Sequence, residues 1–436
     1  VFSYQIPATY NQNYSHPLLV AFHQWGGNEN SNYYTQFDEE ANLRGWIMLS
    51  PYGGSANNYN HQGAQVMVED EILWMMNNFN IDSKKIYMVG GSMGGAAGAI
   101  YANNHLNPTK PMVAATASAS GILDCERRAI EMDGNNSMIE WFGGNWDEVP
   151  FEYHRNSAVY FADSTQSMHY NLQHLPLYLD FGTSEPHRTH AEDLYNLLRD
   201  YNDNMWIDTE PTGSHGYSVF DENHICNWLE QFELVDNPDT VNVNLDEPSR
   251  AYWIEAYNQF SVNDFIRINA RIFYGDISYD STPWEGYGFF MNEYSNSDSL
   301  VLHLLDEEYS TDNNITFYID GGLNSLTLDL TNNLFAPLNF GMEFPNFYDQ
   351  YGNNLEIDQE LGIDDAYSDY ISFTSEDSIG LNMGHISDPG TVIDAISVIT
   401  TMTVIAKLAV MVAQYSFLLF IIPVKPPIIY VNLVVV

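Results

Sequence analysis

Lys85-Ile86-Tyr87-Met88-Val89-Gly90-Gly91-Ser92-Met93-Gly94-Gly95-Ala96-Ala97-Gly98-Ala99 reads as a strand, a tight turn and a helix in immediate succession. The apolar run 86–89 is a strand signal, and the small residues after Met93 suit a helix packed closely against it. Ser92 stands at the apex, in a Gly-x-Ser-x-Gly pattern whose glycines are Gly90 and Gly94. A serine on such an elbow sits in strained backbone, so its neighbours must lack a Cβ for strand and helix to approach. Gly-Ser-Gly strings alone are common in loops. Framed by a strand signal and a helix signal, this one sets a test for the rest of the chain.

On either side of the elbow, residues 1–235 alternate between the two kinds of signal. Strands are expected at 17–23, 46–51, 86–90, 112–118, 175–182 and 205–209, and helices at 62–79, 93–104, 187–201 and 222–233. Residues 81–83 are expected to close the helix 62–79 and turn the chain into the elbow strand. Strands separated by helices imply a mainly parallel sheet with helices on both faces, an α/β class. Residues 124–173 break the alternation with Trp141, Phe142, Trp146, Phe151, Tyr153 and other aromatics, and read as a cap-like insertion over the mouth of the site.

Beyond 235 the composition changes. Residues 236–250 read as an acidic linker, 251–340 as an all-β accessory module of sandwich type, and 341–394 as an acidic, irregular region. Trp253, Trp284, Tyr287, Phe289 and Phe290 read either as an aromatic binding strip or, more simply, as inward-facing core. The tail 395–436 has no Asp or Glu. Its apolar stretch 408–424 admits three readings: a short membrane anchor, buried strands, or a frameshifted end. The start at Val1, inside a strand signal, reads as processed or fragmentary.

The chain has 436 residues and a formal net charge of −44, from 58 acidic and 14 basic residues. Phosphates would be repelled, which argues against nucleic acid and anionic membrane surfaces as partners and favours a secreted protein with a neutral or cationic substrate. Cys125 and Cys226 are the two cysteines; they read as one disulfide or as two buried thiols. No zinc-type ligand spacing occurs, no cofactor motif is found, and a calcium loop in 349–360 fits poorly.

A serine hydroxyl needs a base to take its proton as it attacks. On a parallel α/β sheet the partners should come as acid and then histidine, each on a loop after a later strand. Glu185 leaves the strand Leu177–Phe181 in the loop Gly182-Thr183-Ser184-Glu185-Pro186 and is the expected acid. Asp180, inside the strand, is the alternative; Glu192 and Asp193 read as solvated. His215, among small residues after the strand 205–209, is the expected base. His154, His169, His174, His187, His190 and His224 read as surface or capping residues. The oxyanion donors are expected to be the N–H of Met93 and that of Trp25, with Gln24 as the alternative. Trp25 and Gln24 are also expected to line the substrate cleft.

These residues resemble the α/β-hydrolases. The resemblance rests on Pro17–His23 with Trp25-Gly26-Gly27, on Ile81-Asp82 through Gly95, on Phe181-Gly182-Thr183-x-Glu185, and on Gly213-x-His215-Gly216. It covers roughly the first half of the chain and is strongest to secreted polyhydroxybutyrate depolymerases and feruloyl or acetyl xylan esterases. It implies a Ser–His–acid triad that hydrolyses carboxylic esters, small or polymeric, through an acyl-enzyme. The chain departs from the family at His23-Gln24, where His-Gly is usual, and at Glu185, where Asp is commoner. A serine peptidase of prolyl-oligopeptidase type is a competing reading, and a non-catalytic binding protein on the same fold is a third.

Overall fold

The structure is a computed structural model that describes residues 1–132, 136–211, 213–277, 284–297 and 299–303; beyond 303 it describes strands alone. The chain divides into two compact units, one formed mainly by Val1–Pro238 and the other by Asp239–Val243, Glu247–Val262 and Ile266–Val436.

In the first unit the strands are β1 (Phe2–Gln5), β2 (His16–Phe22), β3 (Ile47–Pro51), β4 (Ile81–Gly91), β5 (Ala115–Ala119), β6 (Leu177–Gly182) and β7 (Met205–Glu210). They form one sheet in the order β1-β3-β2-β4-β5-β6-β7. β1 is antiparallel to β3, and every other neighbouring pair is parallel. Alternation along each strand builds the two faces. Leu18, Val20, Ile86, Met88, Leu177 and Leu179 enter one core cluster, which the helices α2 (Gln62–Asn78), α3 (Met93–Asn104) and α7 (Arg188–Leu198) cover. Leu19, Ala21, Met48, Tyr87, Val89 and Tyr178 enter the other, covered by α1 (Phe37–Arg44) and α8 (Glu222–Leu229). Each fully buried side chain of this kind stabilises the fold by about 1.5–3 kcal/mol relative to exposure. The sheet thus lies between two helical layers, as a near-continuous apolar strand pattern requires.

Several expectations need correcting. β4 begins at Ile81, so 81–83 belong to the elbow strand; His16 pairs with Ile81 and the ladder shifts register before Leu18. The insertion after residue 124 contains the short helices α4 (Cys125–Glu131), α5 (Met138–Phe142) and α6 (Pro150–Arg155). Their apolar residues Cys125, Ala129, Met138, Phe142 and Tyr153 pack with Met93, the residue after Ser92. Cys125 and Cys226 are both free and buried, one in this cluster and one on the inward face of α8.

The expected acidic linker holds a strand, Thr240–Leu245, with Val241, Val243 and Leu245 all buried. The strands of the second unit fall into two larger sheets and a two-stranded ribbon. Trp253 is 1% exposed and belongs to a core rather than to a binding strip. The side chains of Trp284, Tyr287, Phe289 and Phe290 lie outside the described residues, as does the candidate anchor 408–424. Ile428–Val435, near the end of the tail, is a strand running parallel to Asn314–Ile319. Among the described residues no helix is long and apolar enough to cross a membrane.

Candidate active site

Ser92 caps the N-terminus of α3 with φ 57° and ψ −118°, a strained conformation for a residue with a side chain. Backbone contacts hold it there. Its N–H donates to the Ala119 carbonyl at 2.8 Å, and its own carbonyl accepts from Gly95 and Ile122 at 3.0 and 3.2 Å. The glycines are a steric necessity. A Cβ on Gly90 would overlap the Gly94 carbonyl, and one on Gly94 would lie 2.5 Å from the His23 carbonyl oxygen. The helix can therefore start directly on the strand end, which thrusts the Ser92 side chain out at the carboxyl edge of the sheet.

Two later loops meet it there. His215 Nε2 lies 2.7 Å from Ser92 Oγ, and His215 Nδ1 lies 2.9 Å from Glu185 Oε2. Glu185 comes just after β6, and its side chain is fully buried, whereas the His215 side chain is 39% exposed. The structure thus brings Ser92, His215 and Glu185 into one hydrogen-bonded chain. Asp180 does not join it. It stays in β6, where its backbone carbonyl accepts from the Ser120 N–H at 2.8 Å. Burial, helped by Asp208, Glu210 and Glu185, raises its carboxyl to about 7.

The loop after β2 faces the elbow. His23 ties it down, with Nδ1 2.8 Å from the Gln24 carbonyl and Nε2 3.0 Å from the Tyr52 carbonyl. The N–H groups of Gly26 and Gly27 are used by Ala56 and Gln24 carbonyls. Among the described residues, the Met93 and Trp25 N–H groups have no protein acceptor. Met93 is the first residue of α3, where helix geometry leaves N–H groups unpaired. The Trp25 side chain is exposed beside this loop.

Gln24 does something the sequence did not reveal. Its Oε1 accepts from the Tyr217 N–H at 3.2 Å, and the Tyr217 hydroxyl donates to the Phe22 carbonyl at 2.6 Å. The side chain therefore ties the His215 loop to the loop after β2. Gly216, at φ +63°, makes room: a Cβ there would overlap Gln24 Oε1 outright.

The other histidines correct an expectation. His154, His169 and His190 are buried. His154 Nε2 pairs with Glu126 at 2.9 Å; burial lowers His169 to about 4, with Nδ1 2.8 Å from Ser167 Oγ. His187 Nδ1 lies 3.0 Å from Glu131 Oε2, and His190 Nε2 lies 3.7 Å from Glu131 Oε1. His224 sits in the first turn of α8, capped by Asp221 through its N–H.

No family model matches the chain, and no curated protein does. Solved structures to which it is similar include a fluorophosphonate-binding serine hydrolase of Staphylococcus aureus, at 15% identity and a TM-score of 0.39 over 52% of this chain and 90% of that one. An S-formylglutathione hydrolase from Agrobacterium tumefaciens matches at 12% identity and a TM-score of 0.39, over 52% and 88%. An acetyl xylan esterase from Aspergillus awamori matches at 13% identity and a TM-score of 0.37, over 52% and 92%. By its own strand order, its serine elbow and the chain order serine, acid, histidine on successive loops, the first unit of this chain has the α/β-hydrolase fold.

Proposed function

We propose that the chain is a serine hydrolase that cleaves carboxylic esters through an acyl-enzyme. One observation carries the reading: the unbroken contact from Ser92 Oγ through the His215 imidazole to the Glu185 carboxylate. Ser92 Oγ attacks the ester carbonyl carbon while its proton passes to His215 Nε2. The carbonyl oxygen becomes an oxyanion facing the Met93 and Trp25 N–H groups. Collapse breaks the bond to the alcohol, which leaves with the proton held on Nε2. Water then repeats the sequence with His215 as base, releasing the acid and restoring Ser92. Glu185 fixes the imidazole with Nδ1–H toward it and stabilises the imidazolium that forms in each half-reaction.

The substrate class is a plant-wall feruloyl or acetyl ester, or a polyester, met outside the cell. The supports are the motif resemblance and the net charge of −44, which disfavours polyanionic substrates. The partners are accordingly a small or polymeric ester.

The first test is labelling by a fluorophosphonate probe, expected in the wild type and absent in Ser92→Ala. No wild-type labelling would move the chain to the non-catalytic reading. A rate panel of p-nitrophenyl esters, methyl ferulate, acetylated xylan, polyhydroxybutyrate and aminoacyl amides then separates substrates. Faster turnover of the amides would replace the esterase reading with the peptidase one.

A further inference from the structure

The imidazole of His215 is gripped at one edge by Glu185 and at the other by Ser92, yet its side chain is 39% exposed. Against it stands His187, whose ring centre is 5.8 Å away at an interplanar angle of 67°, an edge-on contact. His187 sits just before α7 and is mostly buried, its side chain 14% exposed. Glu131, at the end of α4, lies nearby: its Oε2 is 3.0 Å from His187 Nδ1 without hydrogen-bond geometry, and its Oε1 faces His190 Nε2 at 3.7 Å.

A carboxylate with two imidazoles invites a metal reading, because the three potential ligand atoms lie within 4.8 Å of one another. The tautomer of His190 argues against it. The Leu123 and Asp124 N–H groups both donate to His190 Nδ1 at 3.2 Å. With Nδ1 taken as an acceptor, the neutral ring carries its proton on Nε2, the atom a metal would need bare. The cluster is better described as a carboxylate at the end of α4 lying beside two imidazoles at the start of α7. Burial would raise the Glu131 carboxyl, but His190, His187 and Arg128 outweigh it and hold it down at about 2. His187 is itself lowered, by burial first and then by Arg128, against the pull of Glu131.

We infer that His187 is a positioning residue for the His215 imidazole, its ring packed edge-on against the imidazole that Ser92 and Glu185 hold through its two nitrogens. The inference rests on the triad reading above and deepens it. A ring free to swing out would leave Ser92 without its base, and small misplacements of a reacting group cost rate steeply. The charged and titratable groups facing this pair are Glu185 and Ser92 on His215, and Glu131, Arg128 and His190 on His187.

The test uses the full chain with a p-nitrophenyl ester across a pH series. His187→Ala is expected to lower kcat about tenfold with KM within about twofold, the pattern of lost orientation rather than lost binding. His187→Phe keeps an aromatic wall and should recover kcat to within about threefold of wild type. An unchanged kcat in His187→Ala, or a loss that His187→Phe does not rescue, overturns the inference. So does micromolar Zn²⁺ inhibition that Glu131→Gln abolishes, since the cluster would then bind metal. Fluorophosphonate labelling of the wild type, run alongside, separates the two levels. Labelled wild type with unaffected variants sinks this inference alone; unlabelled wild type sinks the triad reading and this inference with it.

Discussion

Gly216→Ala tests how the histidine loop is held. The residue has φ +63°, so an alanine costs about 1–2 kcal/mol in backbone strain alone. Its Cβ would overlap Gln24 Oε1, so Gln24 must swing away and give up the bond from the Tyr217 N–H, worth about 1 kcal/mol net. Together these come to about 2–3 kcal/mol of stability, read as a lower urea midpoint at unchanged m-value. Activity should suffer more than stability, because Gly216 adjoins His215 and a displacement near 1 Å can lower the rate roughly 100-fold. Gln24→Ala removes the obstacle and the bolt together. In that background Gly216→Ala should cost the strain only, leaving a coupling of about 1 kcal/mol in the double-mutant cycle. Strict additivity, or a Gly216→Ala protein with wild-type kcat/KM and midpoint, would refute the idea that Gln24 and Gly216 lock the loop.

Glu185→Gln should lower kcat by roughly 10³–10⁴-fold with little change in fold, because an amide at Oε2 can present the wrong partner to Nδ1–H; stopped assays on titrated enzyme measure it. Gly90→Ala places a methyl group into the Gly94 carbonyl, so the elbow cannot close, and the protein should fail to give a cooperative thermal transition. Asp180, raised to about 7, binds a proton more tightly folded than unfolded. Its contribution is therefore present below pH ~4 and lost as pH rises toward 7. Asp180→Asn should then be more stable than wild type by about 2 kcal/mol at pH 8, with the gap closing by pH ~4, measured by urea melts at both values. His169, lowered to about 4 by burial, works in the other direction: the unfolded chain takes up a proton first, so stability falls as pH drops from about 6.5 to 4.

What the sequence disclosed and what it withheld divide along range. The elbow was legible because glycines at 90, 91, 94 and 95 answer a local steric demand. Glu185 and His215 were legible because each comes after a strand signal in the right order. The helix expected at 93–104 coincides with Met93–Asn104, and the strand expected at 46–51 lies within one residue of Ile47–Pro51, for the same local reason. The tie between Gln24 and Tyr217 was not legible because the two lie 193 positions apart. α1 was missed because Phe37 and Ala41 are its only buried apolar residues, too few to show a helical stripe. The helices of the insertion are five to seven residues long, below the length at which periodicity speaks. The burial of His154, His169 and His190, read from the sequence as surface or capping residues, was not legible because composition cannot see the partners that make burial tolerable. The strand at 240–245 hid its alternation of Val241, Val243 and Leu245 behind flanking acidic residues.

The acidity of the chain sharpens what the site must achieve. A reaction that develops an oxyanion sits badly in a protein of net charge −44, but screening limits the conflict to nearby charges, since the Debye length is about 10 Å at 0.1 M salt. Close by, the carboxyl ends of β6 and β7 crowd Asp180, Asp208, Glu210 and Glu185 together. Burial and these neighbours raise the Asp180 carboxyl to about 7. At the oxyanion itself no cationic side chain takes part in the geometry among the described residues. In the mechanism proposed above, the stabilisation comes from backbone N–H groups at the start of α3 and in the loop that His23 pins, donors whose strength does not depend on pH. The glycines, the Gln24 bolt and the His23 tie are then parts of one requirement: dipoles must already be in place where charge will form, because the rest of the molecule repels it.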